Sequence, residues 1–223
     1  MAPLERRIWL TVMLLFGAGF ITSNLRAQDT GRLRYVPSSS DIAAFFHGEL
    51  SESSHPALAN YNARYLHLMG EKPLSDGVSP SQPQTYRLLV ETRPHNTPVV
   101  VRLSIKADGT GEAVVKVSQS ARFADTLTVN RTKVVSRENV DDFLRHMGTA
   151  SFWSRPVVEQ FDVHKPVSMG AAGWILEGTR EGSYHVVCRT AERQASLTNA
   201  VMFLAKNIGK LDLTPEGTLP GER

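Results

Sequence analysis

The chain has 223 residues, with 25 basic and 22 acidic side chains and one cysteine. Its length is enough to bury a sizeable core, and a lone cysteine excludes an internal disulfide framework. Residues 1–27 hold Arg6, Arg7 and Arg26 against Glu5, so the remainder carries 22 basic against 21 acidic residues. That balance gives neither the basic footprint of a nucleic-acid binder nor an attraction to an acidic membrane surface.

Arg6 and Arg7 precede an apolar run from Ile8 to Ile21, and Ala27 opens onto a polar stretch. A basic flank, a short apolar core and a small terminal residue are the parts of a secretory signal peptide. A helix over this run reaches roughly 21 Å at about 1.5 Å per residue, short of a ~30 Å hydrocarbon core. The expectation is cleavage near Ala27 and an exported, periplasmic or extracellular protein. The alternative is an uncleaved anchor with the remaining chain held near the bilayer, the only case in which a membrane is a partner.

After a polar segment, Ser40 or Asp41 caps a short helix bearing Ile42, Phe45 and Phe46. A second helix begins at Pro56, with Leu58, Tyr61, Tyr65 and Leu68 on one face, and Gly70 and Pro73 end it. Residues 74–84 are rich in turn formers and read as a linker. These aromatic-bearing helices suit a lid or a partner-binding arm, which makes Tyr61 and Tyr65 candidate binding residues.

From Thr85 the apolar period becomes two. Val99, Val101, Leu103 and Ile105 alternate with Arg102, Ser104 and Lys106, then turn through Asp108-Gly109-Thr110-Gly111 into Ala113, Val115 and Val117. Arg102, Lys106 and Lys116 read as a basic stripe on a solvated sheet face. Thr126–Val135 is a further strand whose alternation breaks around Arg131–Val134, where a bulge is expected. Ser136 caps a helix with Val140, Phe143, Leu144 and Met147 inward, and Phe152 and Trp153 are core anchors. Gly173–Gly178 and Ser183–Thr190 form a second hairpin. A last helix over about Glu192–Asn207 stops at Gly209. The expected fold is α+β, an antiparallel sheet of about six strands in the order ββββαββα. Helices cover one face, and two short helices precede it. The expected organisation is a signal peptide over 1–27, helices and linker over 28–84, the α+β domain over 85–211 and a disordered tail over 212–223.

Pairing the second hairpin about its loop centre puts Trp174, Leu176, Tyr184, Val186 and Cys188 on one face. Ile175, Glu177, His185, Val187 and Arg189 then take the other. Glu177 and His185 become cross-strand neighbours, a candidate acid–base pair for a small exported hydrolase, or an ordinary polar pair. Cys188 reads either as a reactive thiol or as a small core residue.

Phe152-Trp153-Ser154-Arg155-Pro156, Trp174-Ile175-Leu176-Glu177-Gly178 and Gly182-Ser183-Tyr184-His185-Val186-Val187-Cys188-Arg189 together resemble a pattern in a family of uncharacterised bacterial exported proteins. That pattern is Phe-Trp-x-x-Pro, Trp-x-x-Glu-Gly and Gly-x-Tyr-His-x-Val-x-Arg, followed by a C-terminal helix. The resemblance spans roughly residues 86–209. It departs at Gly170-Ala171, where Asp-Gly is expected, and at Thr190-Ala191-Glu192, where Ser-Pro is more usual. It implies a domain boundary and a bacterial origin, and supplies no reaction.

No histidines lie three or four apart as helical zinc pairs would, so no metal is expected. Gly109-Thr110-Gly111 lacks the third glycine and the helix of a dinucleotide site, so no cofactor is expected. Ser168-Met169-Gly170 lacks the preceding glycine of a nucleophile elbow. The function expected is therefore a non-catalytic exported module that binds a protein or envelope component.

Overall fold

The computed structural model describes residues 56–76, 78–92, 97–120, 125–157, 173–190 and 195–213. The apolar run at 8–21, the helix expected after Asp41 and the tail after Thr214 lie outside the described residues. The first described element is helix α1 (Pro56–Leu68), followed by strands β1 (Gln84–Glu91), β2 (Pro98–Ile105), β3 (Gly111–Ser118) and β4 (Leu127–Val135). Helix α2 (Arg137–Thr149) leads through a 3₁₀ turn at Phe152–Ser154 to β5 (Gly173–Arg180) and β6 (Ser183–Thr190). Helix α3 (Ala195–Met202) continues as a π-helical turn over Phe203–Ile208. All neighbouring strands are antiparallel, in the order β4-β3-β2-β1-β5-β6. The chain thus meanders outward from β1, returns through α2, and completes the sheet on the other side of β1.

The alternation of β2 and β3 is as expected. Val99, Val101, Leu103, Ala113, Val115 and Val117 join Tyr86, Leu88 and Val90 beneath Val140, Phe143 and Met147 of α2, Leu197 and Val201 of α3 and Leu204 of its π-helical continuation. Ser136 caps α2 by accepting from the Asn139 amide at 3.4 Å. The bulge of β4 falls earlier than the sequence suggests. Val117 pairs with Val129 and Ser118 with Leu127, so Thr128 is the extra residue, and its hydroxyl donates to the Val117 carbonyl at 3.2 Å.

α2 and α3 cover the first face as expected, and the preceding helix α1 packs on the second. Ala63, Tyr65, Leu66 and Met69 form a separate apolar cluster there with Leu89, Val100, Ile175, Val186 and Cys188. Residues that alternation alone assigns to water are buried for this reason. α1 ends in a Schellman arrangement. Gly70 takes φ +68°, its amide donates to the His67 carbonyl, and the Glu71 amide donates to the Leu66 carbonyl, both at 2.9 Å. This reversal points Glu71 back at the sheet.

The first face closes over Gly178. A Cβ there would lie 2.9 Å from Phe152 and 3.0 Å from Tyr86. Gly178→Ala should therefore overpack the core and cost about 1–3 kcal/mol in chemical denaturation. Gly148→Ala, on an α2 position with nothing within 4 Å of its Cβ, should be neutral or stabilising by up to about 1 kcal/mol. Equal effects at the two glycines would contradict this packing.

Candidate functional site

The β5–β6 turn decides what the hairpin can do. It has two residues, Glu181 (φ +50°) and Gly182 (φ +77°), the positive-φ pair that matches strand twist in a tight hairpin. Arg180 consequently pairs with Ser183, Gly178 with His185 and Glu177 with Val186. The expected face assignment of β6 is thereby reversed. Trp174 and Leu176 share their face with His185, Val187 and Arg189, whereas Ile175 and Glu177 share theirs with Tyr184, Val186 and Cys188. Glu177 and His185 lie on opposite faces of the sheet and do not form an acid–base pair.

On the first face His185 is a packing residue. Its ring meets Phe152 edge-on at a centroid distance of 5.0 Å and lies 6.2 Å from Trp153, while the Arg180 guanidinium sits 4.6 Å over the Trp153 ring. Arg189 donates to the carbonyls of Pro156 at 2.6 Å and Val157 at 2.9 Å. The Cys188 amide also donates to Val157. The residues of the Phe-Trp-x-x-Pro and Tyr-His-x-Val-x-Arg pattern thus pin the segment after α2 to the hairpin.

Tyr65, a candidate binding residue, is 5% exposed in the second-face core, so it is corrected to a packing residue. The side chain of Tyr61 lies outside the described ones. Cys188 is also buried here. Burial pushes its thiol up to about 11, an effect that the nearby Arg189 charge only partly opposes.

The second face carries the chemistry that the sequence conceals. Arg87 on β1 and its direct β5 partner Glu177 are both fully buried. Arg87 Nε donates to Glu177 Oε2 at 2.7 Å and Nη2 to Oε1 at 2.9 Å, a bidentate pair. Tyr184 donates its hydroxyl to Glu177 Oε1 at 3.0 Å. Burial acts to lower the Arg87 pKa, but the charges of Glu177 and Glu71 outweigh it and leave the guanidinium raised and firmly ionised. Arg87 Nη1 also donates to the Lys72 carbonyl at 2.6 Å and lies 3.5 Å from Glu71 Oε2.

Glu71 is the second hub. Its Oε2 is 3.1 Å from Arg102 Nε on β2, and its Oε1 is 2.7 Å from Lys116 Nζ on β3. Lys116 further donates to the carbonyls of Met69 at 2.8 Å and Gly70 at 3.2 Å, at the negative end of α1. The expected solvated basic stripe is corrected accordingly: Lys116 is buried, Arg102 is half-buried and both are paired, while Lys106 alone remains exposed. Beside this network, Gly70, Glu71, Lys72, Pro73, Leu74 and Arg102 line an open cavity of about 310 Å³. Among the described residues no three His, Cys, Asp or Glu side chains gather as metal ligands would. No described helix is long and apolar enough to cross a membrane.

The cavity and its hub arise from the turn after α1, which the sequence marks only as a helix stop. A charged residue directly after the Gly70 stop, followed by Lys72 and Pro73, was the available signal.

Alkylation distinguishes the two readings of Cys188. At pH 8 a thiol near 11 holds about a hundredfold less thiolate than an ordinary one, so the native protein should resist iodoacetamide and the unfolded protein should react quickly. Comparable rates in the two states would make Cys188 an accessible nucleophile. No family model and no curated protein matches the chain.

Proposed function

We propose that this chain is a non-catalytic module, exported from the cell, that binds a protein or envelope component at the end of α1. The supporting observation is the cavity between the Gly70–Leu74 turn and Arg102, the described concavity that borders a charged network. Pockets in which a few convergent polar groups meet apolar walls are the usual places for recognition. The hydrolase reading loses its geometric basis, because Glu177 is enclosed by Arg87 and Tyr184 and His185 faces the other way.

The α1 surface expected to serve recognition is core at Tyr65, so recognition is placed at the turn that follows it. The half-buried Leu74 and the exposed Lys72 put an apolar and a cationic contact side by side at the rim. That pairing suits a partner presenting an acidic group on an apolar support.

Photo-crosslinking tests this reading. A benzoylphenylalanine in place of Leu74 should give a discrete adduct with one component of the envelope fraction, identified by mass spectrometry and competed by unlabelled protein. The same group in place of Glu138, exposed on α2, should not. No adduct at position 74, or the same adducts at both positions, would defeat the proposal.

A further inference from the structure

Among the described residues, Arg87, Arg102 and Lys116, with Lys72 at the cavity rim, stand against the carboxylates of Glu71 and Glu177. Arg87 is fully buried, with both sides of its guanidinium engaged by Glu177, Glu71 and the Lys72 carbonyl. Lys116 is held by Glu71 and two backbone carbonyls. Arg102 differs from both. Its side chain is 31% exposed, it meets Glu71 through Nε, and it forms part of the cavity wall. The fork of its two amino groups is the part of the guanidinium suited to a planar oxyanion.

We infer that the cavity is a binding site for a monocarboxylate carried on a short apolar body, with Arg102 holding the carboxylate, Lys72 assisting at the rim, and Pro73 and Leu74 contacting the apolar part. This rests on the binding-module reading and names its ligand chemistry. The planar fork of Arg102 matches a carboxylate through two parallel hydrogen bonds, and Pro73 and Leu74 offer an apolar contact that inorganic phosphate cannot use. A volume of about 310 Å³ lies at the small end of ligand pockets, which run from about 300 to 1,000 Å³. It suits a small organic acid or a short peptide C-terminus.

Hexanoate titrated into protein purified after expression of the full chain, followed by amide and arginine side-chain NMR, tests the site. The expected result is saturable shifts confined to Gly70–Leu74 and the Arg102 Nε resonance, with a dissociation constant of the order of 1 mM for so small a ligand. Arg102→Gln should weaken it at least tenfold and Lys72→Gln two- to threefold. Hexanol and hexylamine should give no comparable shifts. Arg102→Gln leaves Glu71 with Lys116 and Arg87. Should that variant nevertheless misfold, Leu74→Asp, which repels the carboxylate from the rim, should abolish binding while the remaining spectrum stays native.

Equal binding of hexanol would overturn the anion assignment. Tighter binding of inorganic phosphate than of hexanoate would overturn the carboxylate. No shifts with 50 mM hexanoate would remove the site. The two readings fail separately. Specific adducts at position 74 without hexanoate binding would refute only this ligand class. Hexanoate binding without adducts would keep the site and refute the protein or envelope partner.

Discussion

Two arginines stand directly opposite each other in the middle of this sheet, Arg87 on β1 and Arg102 on β2, and the second face is built around that repulsion. Like charges in register across strands are destabilising, and here one of the pair is fully buried. Glu177 answers Arg87 from the neighbouring strand, and Glu71 reaches both arginines from the turn after α1. Glu71 reaches that position only because Gly70 adopts a positive φ and reverses the chain. The helix end, the strand register and the charged residues are therefore one arrangement. A buried ion pair is often no more stabilising than a well-packed apolar pair of the same shape, yet leaving one member unpaired is very costly. Its effect is to tie α1 and β1, β2, β3 and β5 to one relative placement.

The two faces divide the work. On the first, Tyr86, Phe152, Trp153 and His185 interlock over Gly178, and Arg189 fastens the chain after α2 to the edge strand. The side chains that look most like a site in the sequence are consequently structural. On the second face, ordering is achieved with charges, and Arg102 stays half-buried beside the concavity that follows α1. The concavity is thus bordered by a residue, Arg102, that also belongs to the network securing α1.

Much of the fold was legible in the residues. Two-residue alternation in β2 and β3, the Asp108–Gly111 turn, the Ser136 cap and the stop at Gly209 each rest on local chemistry that tertiary contacts do not override. The β5–β6 register was not legible. Its turn places Glu181 at φ +50°, a conformation that non-glycine residues rarely adopt, and a one-residue slip exchanges the faces of an entire strand. The role of α1 was hidden for a related reason. Its buried side includes Asn62, Tyr65, Leu66 and Met69, spaced three, four and seven apart, and the polar Asn62 disguises that stripe. Without a helix on the second face, Lys116 reads as solvated and nothing brings Arg87 to notice, so the network that joins them to Glu177 could not be found from periodicity.

The most direct measurement is a double-mutant cycle on Arg87 and Glu177, read by chemical denaturation with Arg87→Met, Glu177→Met and the double variant. Each single change should cost about 3–5 kcal/mol, because it strands a buried charge, and the double variant should cost far less than the sum of the two. Strictly additive losses, or single variants as stable as the parent, would contradict the claim that this pair and its partner Glu71 organise the second face.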